Sequence, residues 1–239
     1  MTDFYVAAPG ETAPPVPDGP RLCQGDDMRI VHNAFLWGYE RAPGLVRGVA
    51  AGDTARSELV GRWLADLDAT LHVHHESEDT LLWDRLEGRA PACALHVGQM
   101  RAHHARVQEL LREAEPLLTR WRATADPDTG DRLADAYERM LAVLTVHLRR
   151  EVVEMIPVVE KVLTEAEWAE LGEHSMGAIP RSRLLPQLGF LITASPDAGP
   201  SFLAGAPRPV RWMYRLVGRR QFERTFRGLF PGEPVPRTV

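Results

Sequence analysis

The sequence predicts an all-α protein built on an up-down-up-down four-helix bundle, with additional short C-terminal helices packed on it. Three observations in the 239 residues support this fold class. Apolar residues recur at steps of three and four through four long segments, which is the spacing of one face of a helix. No segment shows the sustained alternation typical of strands. The connections between the long segments are short, so consecutive helices should be antiparallel neighbours.

The first two helices have clear boundary signals. An aspartate at position 26 or 27 can cap the first helix, which is expected to end near Arg41. Pro43 and the following glycine should break it, with a short helical turn continuing to Ala51. The second helix is predicted over 54–86, a stretch that contains no proline.

The third and fourth helices are long and each contains one proline. They are predicted over about 92–123, with a kink at Pro116, and about 131–162, with a kink at Pro157. A capping box begins a short fifth helix over 164–174. Beyond residue 176, frequent prolines divide the chain into short pieces that are apolar enough to pack as short helices.

Composition divides the chain into three parts. Residues 1–22 are predicted to form a disordered Pro-rich leader, 23–175 the bundle, and 176–239 an Arg-rich helical extension. The extension has a net charge of +7, whereas the preceding residues have −12. Opposite charges favour docking of the extension onto the bundle. The alternative is an amphipathic surface for anionic membrane or nucleic acid. Of these, docking is favoured, and no nucleic-acid partner is expected.

Several functional classes are disfavoured by the composition. No apolar run approaches the roughly 18 residues of a membrane span, and no secretory signal pattern is visible. The two cysteines form no CxxC motif and suggest no disulfide framework. A cytoplasmic protein is therefore expected. The sequence does not determine the oligomeric state.

Two His-x-x-x-Glu steps, one on the second helix and one on the fourth, carry the main functional signal. Residues four apart lie on one face of a helix, so each histidine and glutamate can reach one site together. The first and third helices each add a histidine. Nitrogen and carboxylate donors in a bundle core suit a metal such as iron. The candidate ligands are His32, His74, Glu78, His104, His147 and Glu151, with His75 as an additional candidate.

Two ambiguities remain in this ligand set. The pair of His75 and Asp79 has the same spacing as the pair of His74 and Glu78, and His103 adjoins His104. Each histidine also has an alternative interpretation without metal, because a single buried histidine is more often a hydrogen-bonded core residue than a ligand. An exposed His-x-x-x-Glu pair would contribute only about 0.2–0.5 kcal/mol. For the set as a whole, metal binding is favoured.

Three strings bear a specific resemblance to one family. They are HHESEDTLLW from His74 to Trp83, MRAHH from Met100 to His104, and HLRREVVEMIP from His147 to Pro157. They resemble the second-, third- and fourth-helix motifs of the hemerythrin-like, HHE cation-binding family, in the right order. The resemblance covers about residues 27–171 and implies a four-helix bundle that encloses a non-haem di-iron centre.

The resemblance implies specific roles and a function. Two non-haem iron ions, joined by an oxo or hydroxo bridge, would be held by the six candidate ligands, with Glu78 and Glu151 bridging. The chain departs from oxygen-carrying hemerythrins, whose third helix has His where Met100 stands and whose fourth helix spaces histidine and carboxylate by five. His75 could supply the missing ligand. The implied function is reaction with O2, NO or peroxide, including peroxide- or NO-decomposing enzyme activity. The alternatives are a non-catalytic gas or iron sensor or carrier, and a metal-free structural bundle.

Overall fold

The computed structural model describes residues 12–238, except for the side chains of residues 181 and 182. The described part of the chain is mostly helical and contains no strand. Four long helices form the bundle: α1 (Asp26–Arg47), α2 (Thr54–Leu81), α4 (Ala94–Thr124) and α5 (Pro127–Arg150). Each packs against two of the others in the closed order α1, α2, α4, α5. The predicted all-α bundle is therefore confirmed.

Helix α1 is longer than the sequence suggested, and the predicted break at Pro43 is wrong. The helix runs through Pro43 to Arg47. A proline inside a helix removes one backbone hydrogen bond. Here Ala42, Pro43 and Val46 are all buried, and α1 packs closely along α5. Packing of an apolar face contributes more to helix stability than local propensity, so the helix continues.

The predicted second helix is divided in two. Asp53 is the N-cap of helix α2, and its side chain accepts a hydrogen bond from the Arg56 amide. The helix ends at Leu81, and α3 (Trp83–Arg89) follows after Leu82, whose φ of −103° is distorted within the right-handed region. Leu82, Trp83 and Leu86 are all buried there. A turn at Leu82 thus places three apolar side chains in the core where one straight helix was expected.

The fourth bundle helix is interrupted close to the predicted kink at Pro157. Helix α5 has Asp126 as its N-cap and Pro127 at its first position. A π-helical turn (Glu151–Met155) separates it from α6 (Ile156–Val162). Pro157 lacks the amide that an α-helix would pair with the carbonyl four residues earlier, and π-turns are a common cause of helix irregularity. By contrast, α4 remains one helix through Pro116.

The C-terminal helices pack on the bundle as predicted, but aromatic contacts dominate over charge. They are α7 (Glu165–Gly177), α8 (Arg181–Ala194), α9 (Gly199–Gly205), α10 (Arg208–Met213), a π-turn (Tyr214–Gly218) and α11 (Arg219–Leu229). Phe190 of α8 and Phe230 both contact the rings of Trp37 and Trp63. An Arg183–Asp66 ion pair adds to this contact.

The N-terminal residues that are described lie along the bundle without regular secondary structure. The Leu22 amide donates to the Glu160 carbonyl (2.7 Å), and the Cys23 side chain is buried. The carbonyl of Thr12 lies 2.9 Å from Nε2 of His96. Residues 1–11 of the predicted leader lie outside the described residues, and the division at residue 22 stays a prediction. No helix in the described part of the chain is long and apolar enough to cross a bilayer.

Candidate metal centre

A polar layer crosses the bundle between two apolar clusters. The larger cluster contains Phe35, Leu71, Val107 and Leu144, one from each bundle helix. The second contains Met28, Leu82, Met100 and Met155, from the same helices or their direct extensions. On α1, α2 and α4, the candidate ligands lie between the two clusters in sequence; on α5, Glu151 does so, and His147 directly precedes Leu148 of the larger cluster. The sequence therefore places all of them at one level of the bundle, with apolar packing on both sides.

Two groups of four donors meet in this layer. The first is His32, His74, Glu78 and Glu151, and the second is His75, Glu78, His104 and His147. Within each group, the four donor atoms lie within 4.8 Å of one another. No donor side chain belongs to a residue more than 7% exposed. Each group is therefore compact enough to surround one cation.

Glu78 belongs to both groups. Its Oε1 lies 3.2 Å from Nε2 of His74, and its Oε2 lies 3.4 Å from Nε2 of His104. The two oxygens of one carboxylate thus face different groups. Glu151 also lies between histidines of both groups, with Oε2 3.6 Å from Nε2 of His32 and 3.9 Å from Nε2 of His147. Of the two expected bridging carboxylates, only Glu78 belongs to both donor groups, whereas Glu151 belongs to the first group.

The histidine nitrogens converge on the centre of each group. Nε2 of His32 lies 3.0 Å from Nε2 of His74, and Nε2 of His104 lies 3.1 Å from Nε2 of His147. His75 stacks on His104, with ring centroids 4.1 Å apart. Nitrogens packed this closely can share at most one proton per pair. Their common orientation toward one point is that of ligands around a cation.

Two of the histidines are oriented by their other ring nitrogen. Nδ1 of His32 lies 2.9 Å from the carbonyl of Leu148, and Nδ1 of His104 lies 2.8 Å from Oδ1 of Asp79. These acceptors require Nδ1 to donate in both rings, so Nε2 carries the lone pair in the neutral ring of His32. Such partners commonly fix the tautomer and orientation of metal-ligating histidines. Both nitrogens that face the centre are thereby prepared to bind a metal.

Burial disfavours the charged forms of the histidines and of the carboxyl groups in this layer. It lowers the pKa of His32 to about 4, and it lowers the pKa values of His74 and His147 well below their usual range. Neutral imidazole is the form that binds metal. Burial raises the pKa of Glu151 to about 8, and burial together with the charge of Glu151 raises the pKa of Glu78. A bound cation would stabilise both carboxylates in their charged form.

The layer also contains buried polar atoms that no other described residue satisfies. Both carboxylate oxygens of Glu78 and of Glu151 lack a hydrogen-bond partner, as does Nε2 of His75. A buried carboxylate left in this state is costly, because its desolvation is not compensated. Metal coordination would supply the partners that the protein does not, so the residues present fit a pair of cations.

The geometry also places the residues between which sequence could not choose. His104 faces the centre and is buried, whereas the neighbouring His103 is only half-buried. His74 and His75 both face the centre, one in each group. Asp79 lies outside the groups and accepts the hydrogen bond from His104 instead. The role of Asp79 as a partner of a candidate ligand was not anticipated, although its position directly after Glu78 is a signal that could have suggested it.

Met100, which stands where oxygen-carrying hemerythrins have a third-helix histidine, lies outside both donor groups. Met100 is fully buried in the apolar cluster with Trp83 and Met155. A thioether at this position packs among apolar side chains. His75 lies in the second group, where one further nitrogen was expected.

The comparison with known families agrees with the geometry. Residues 26–159 match the hemerythrin HHE cation-binding domain, which is more than half of the chain. The chain belongs to the hemerythrin HHE family. The resemblance inferred from the three strings is thereby confirmed. No curated protein and no solved structure matches the chain.

The match to the hemerythrin domain covers the bundle but not the C-terminal helices. It contains all seven candidate donors, from His32 to Glu151, and its stated property is cation binding. It ends before α7, so the helices from 165 onward lie outside it. This hemerythrin-domain protein therefore carries a C-terminal extension whose purpose the family does not supply.

Proposed function

We propose that this hemerythrin-domain protein holds two non-haem iron ions and reacts with O2, NO or peroxide. The observation that carries the proposal is the pair of four-donor groups that share Glu78 in one buried layer. The proposed ligands are His32, His74, Glu78 and Glu151 for one ion, and His75, Glu78, His104 and His147 for the other.

The chemistry of the donors supports iron. Each group mixes imidazole nitrogens with carboxylate oxygens, a set that suits non-haem iron. The two cysteines lie in the second apolar cluster and supply no thiolate to either group. Four protein donors per ion leave coordination positions for water or a small molecule, which reactive metal sites need. When bound, iron would supply redox chemistry that no side chain of this chain can perform.

The chain itself would contribute orientation and exclusion of water. The Leu148 carbonyl and the Asp79 carboxylate hold the rings of His32 and His104 with Nε2 directed to the centre. Apolar side chains pack above and below the layer. Since every candidate donor is buried, the centre is suited to substrates of a few atoms. This favours diatomic gases and peroxide over larger organic substrates.

The two groups differ in donor type, and this supports reaction over reversible carriage. The first has two imidazoles and two carboxylates, whereas the second has three imidazoles and one carboxylate. Carboxylates are harder donors and stabilise the more oxidised metal. We therefore expect the reduced protein to oxidise in air rather than to hold oxygen reversibly.

Two linked measurements test the proposal. Metal analysis of protein expressed with iron should give about two irons per chain, as the two groups require. Stopped-flow absorbance after mixing the reduced protein with oxygen should then show rapid oxidation without a long-lived complex, and the oxidised protein should consume peroxide or NO. Reproducible absence of both iron and zinc would favour a metal-free structural bundle. A stable complex that releases oxygen under vacuum would favour a carrier or sensor.

A further inference from the structure

The C-terminal extension presents an apolar patch to solvent. Trp212 is 66% exposed, Met213 49%, and Leu216 and Val217 46% each. These four residues are called the Trp212 patch. They form two adjacent pairs four positions apart, so they occupy one side of the helix that α10 and its π-turn make together.

The patch is held rigidly outward because the opposite side of the same helix is anchored. Tyr214 is fully buried in a small cluster with Ile192 and Leu203. A Cβ at Gly218 would lie 3.0 Å from Cβ of Leu185, so the helix approaches α8 closely there. The exposure therefore results from a docked helix whose free side is apolar. Single exposed apolar residues are ordinary, but a contiguous group on an ordered element indicates an interaction surface.

The segment that carries the patch is rich in arginines, and most of them lack acidic partners among the described residues. Between Arg208 and Arg227 there are seven arginines and one acid, Glu223. Glu223 is engaged by Arg219 and Arg227. The other exposed arginines form no ion pair in the part of the chain that the structure describes; they are Arg208, Arg215, Arg220 and Arg224. The surface thus combines exposed apolar area with uncompensated positive charge.

We propose that the Trp212 patch and its arginines dock the protein on an anionic lipid bilayer. A bilayer surface offers phosphate groups to the arginines and the acyl boundary to the four apolar side chains at the same time. Tryptophan is favoured at that boundary because its ring is apolar and its N–H is polar. The acidic bundle of a second copy would satisfy the charges only. The other large apolar residues exposed on the described surface are scattered along the chain and offer no matching patch.

Full-length, metal-loaded protein should float with phosphatidylcholine vesicles that contain phosphatidylglycerol, and not with phosphatidylcholine alone. Screening lengths fall from about 10 Å at 0.1 M salt to about 3 Å at 1 M, so binding should weaken as salt rises. Replacing Arg215 by Ala should weaken binding about fivefold, the effect expected for one arginine near an anionic surface.

Variants of the exposed apolar residues distinguish insertion of these side chains into the bilayer from charge attraction alone. Trp212→Gln combined with Leu216→Gln should abolish flotation without changing the charge, whereas Leu95→Gln should leave flotation unchanged, since Leu95 is an equally exposed residue (69%) on α4. All these positions are exposed, so helicity and iron content should match the wild type, which keeps this test independent of the metal centre. Three results would overturn the proposal. They are no flotation of the wild type, equal flotation of the Trp212/Leu216 variant, and self-association in sedimentation that the variant abolishes without any vesicle binding.

Discussion

Glu78 is the residue whose loss best tests the paired-metal arrangement. It is the one donor common to both groups, while His32 belongs only to the first. Glu78→Ala reduces each group from four protein donors to three, whereas His32→Ala leaves the second group complete. We expect about two irons per chain in the wild type, about one in His32→Ala, and less than one in Glu78→Ala. His72→Ala, at an exposed position on the same helix as Glu78, should retain two.

The thermal stability should follow the metal count. A ligand that binds only the folded state stabilises it by about 2.7 kcal/mol when its free concentration is 100 times its Kd. In a chain of this size, about 1 kcal/mol shifts the Tm by about 2–4 °C. His32→Ala should therefore lower the Tm of the loaded protein by about 5–10 °C. Glu78→Ala should lower it by roughly twice that.

The metal-free protein provides the complementary measurement. The folded-state pKa of Glu78 is raised above its usual value by burial, so near pH 7 its ionisation opposes folding when no cation is present. Metal-free Glu78→Gln should therefore be more stable than the metal-free wild type at pH 7, and this difference should diminish toward pH 4. Inductively coupled plasma analysis and thermal unfolding, with and without chelator, measure both quantities. Glu78→Ala and His32→Ala with equal metal content would refute the shared-ligand argument.

Three other perturbations have defined outcomes. Glu151→Ala should lose at least one iron while far-ultraviolet circular dichroism stays helical. His174→Ala should keep full metal, because His174 contacts the Ser77 hydroxyl (2.9 Å) but belongs to neither donor group; equal metal loss in both variants would disprove the ligand assignment. Burial raises the pKa of Asp68 to about 6, so its contribution to stability is present below about pH 4 and is lost as the pH rises through 6. Since the side chain is not fully inaccessible, that loss is at most about 3 kcal/mol. Asp68→Asn should make the unfolding free energy less dependent on pH between about 4 and 6, and an unchanged pH dependence would contradict the argument. Phe222→Ala, at a fully buried position in the extension, should lower the unfolding free energy measured in urea by about 3–5 kcal/mol. Trp212→Ala should change the unfolding free energy by less than about 0.5 kcal/mol. Equal effects would show that the extension does not pack as described.

The local pattern of the sequence was sufficient for the bundle and for most of the candidate ligands. Apolar spacing identified the four long helices, and the steps from His74 to Glu78 and from His147 to Glu151 indicated which faces point inward. These features are determined within one or two helical turns, so neighbouring residues encode them. The three motif strings added the family, which the match over residues 26–159 then confirmed.

Tertiary packing decided what the local pattern left open. Residues His74 and His75 differ by about 100° around one helix, and only the positions of His32, His104 and His147 on other helices divide them between two groups. The same holds for Pro43, where contact with α5 sustains a helix that the isolated sequence would end. The extension docks chiefly through aromatic contacts, and Trp212 stays exposed because Tyr214 and Gly218, on the opposite side of its helix, pack against α8 and α9 instead. In each case the outcome depends on contacts between residues distant in the chain, whose energies no local pattern contains.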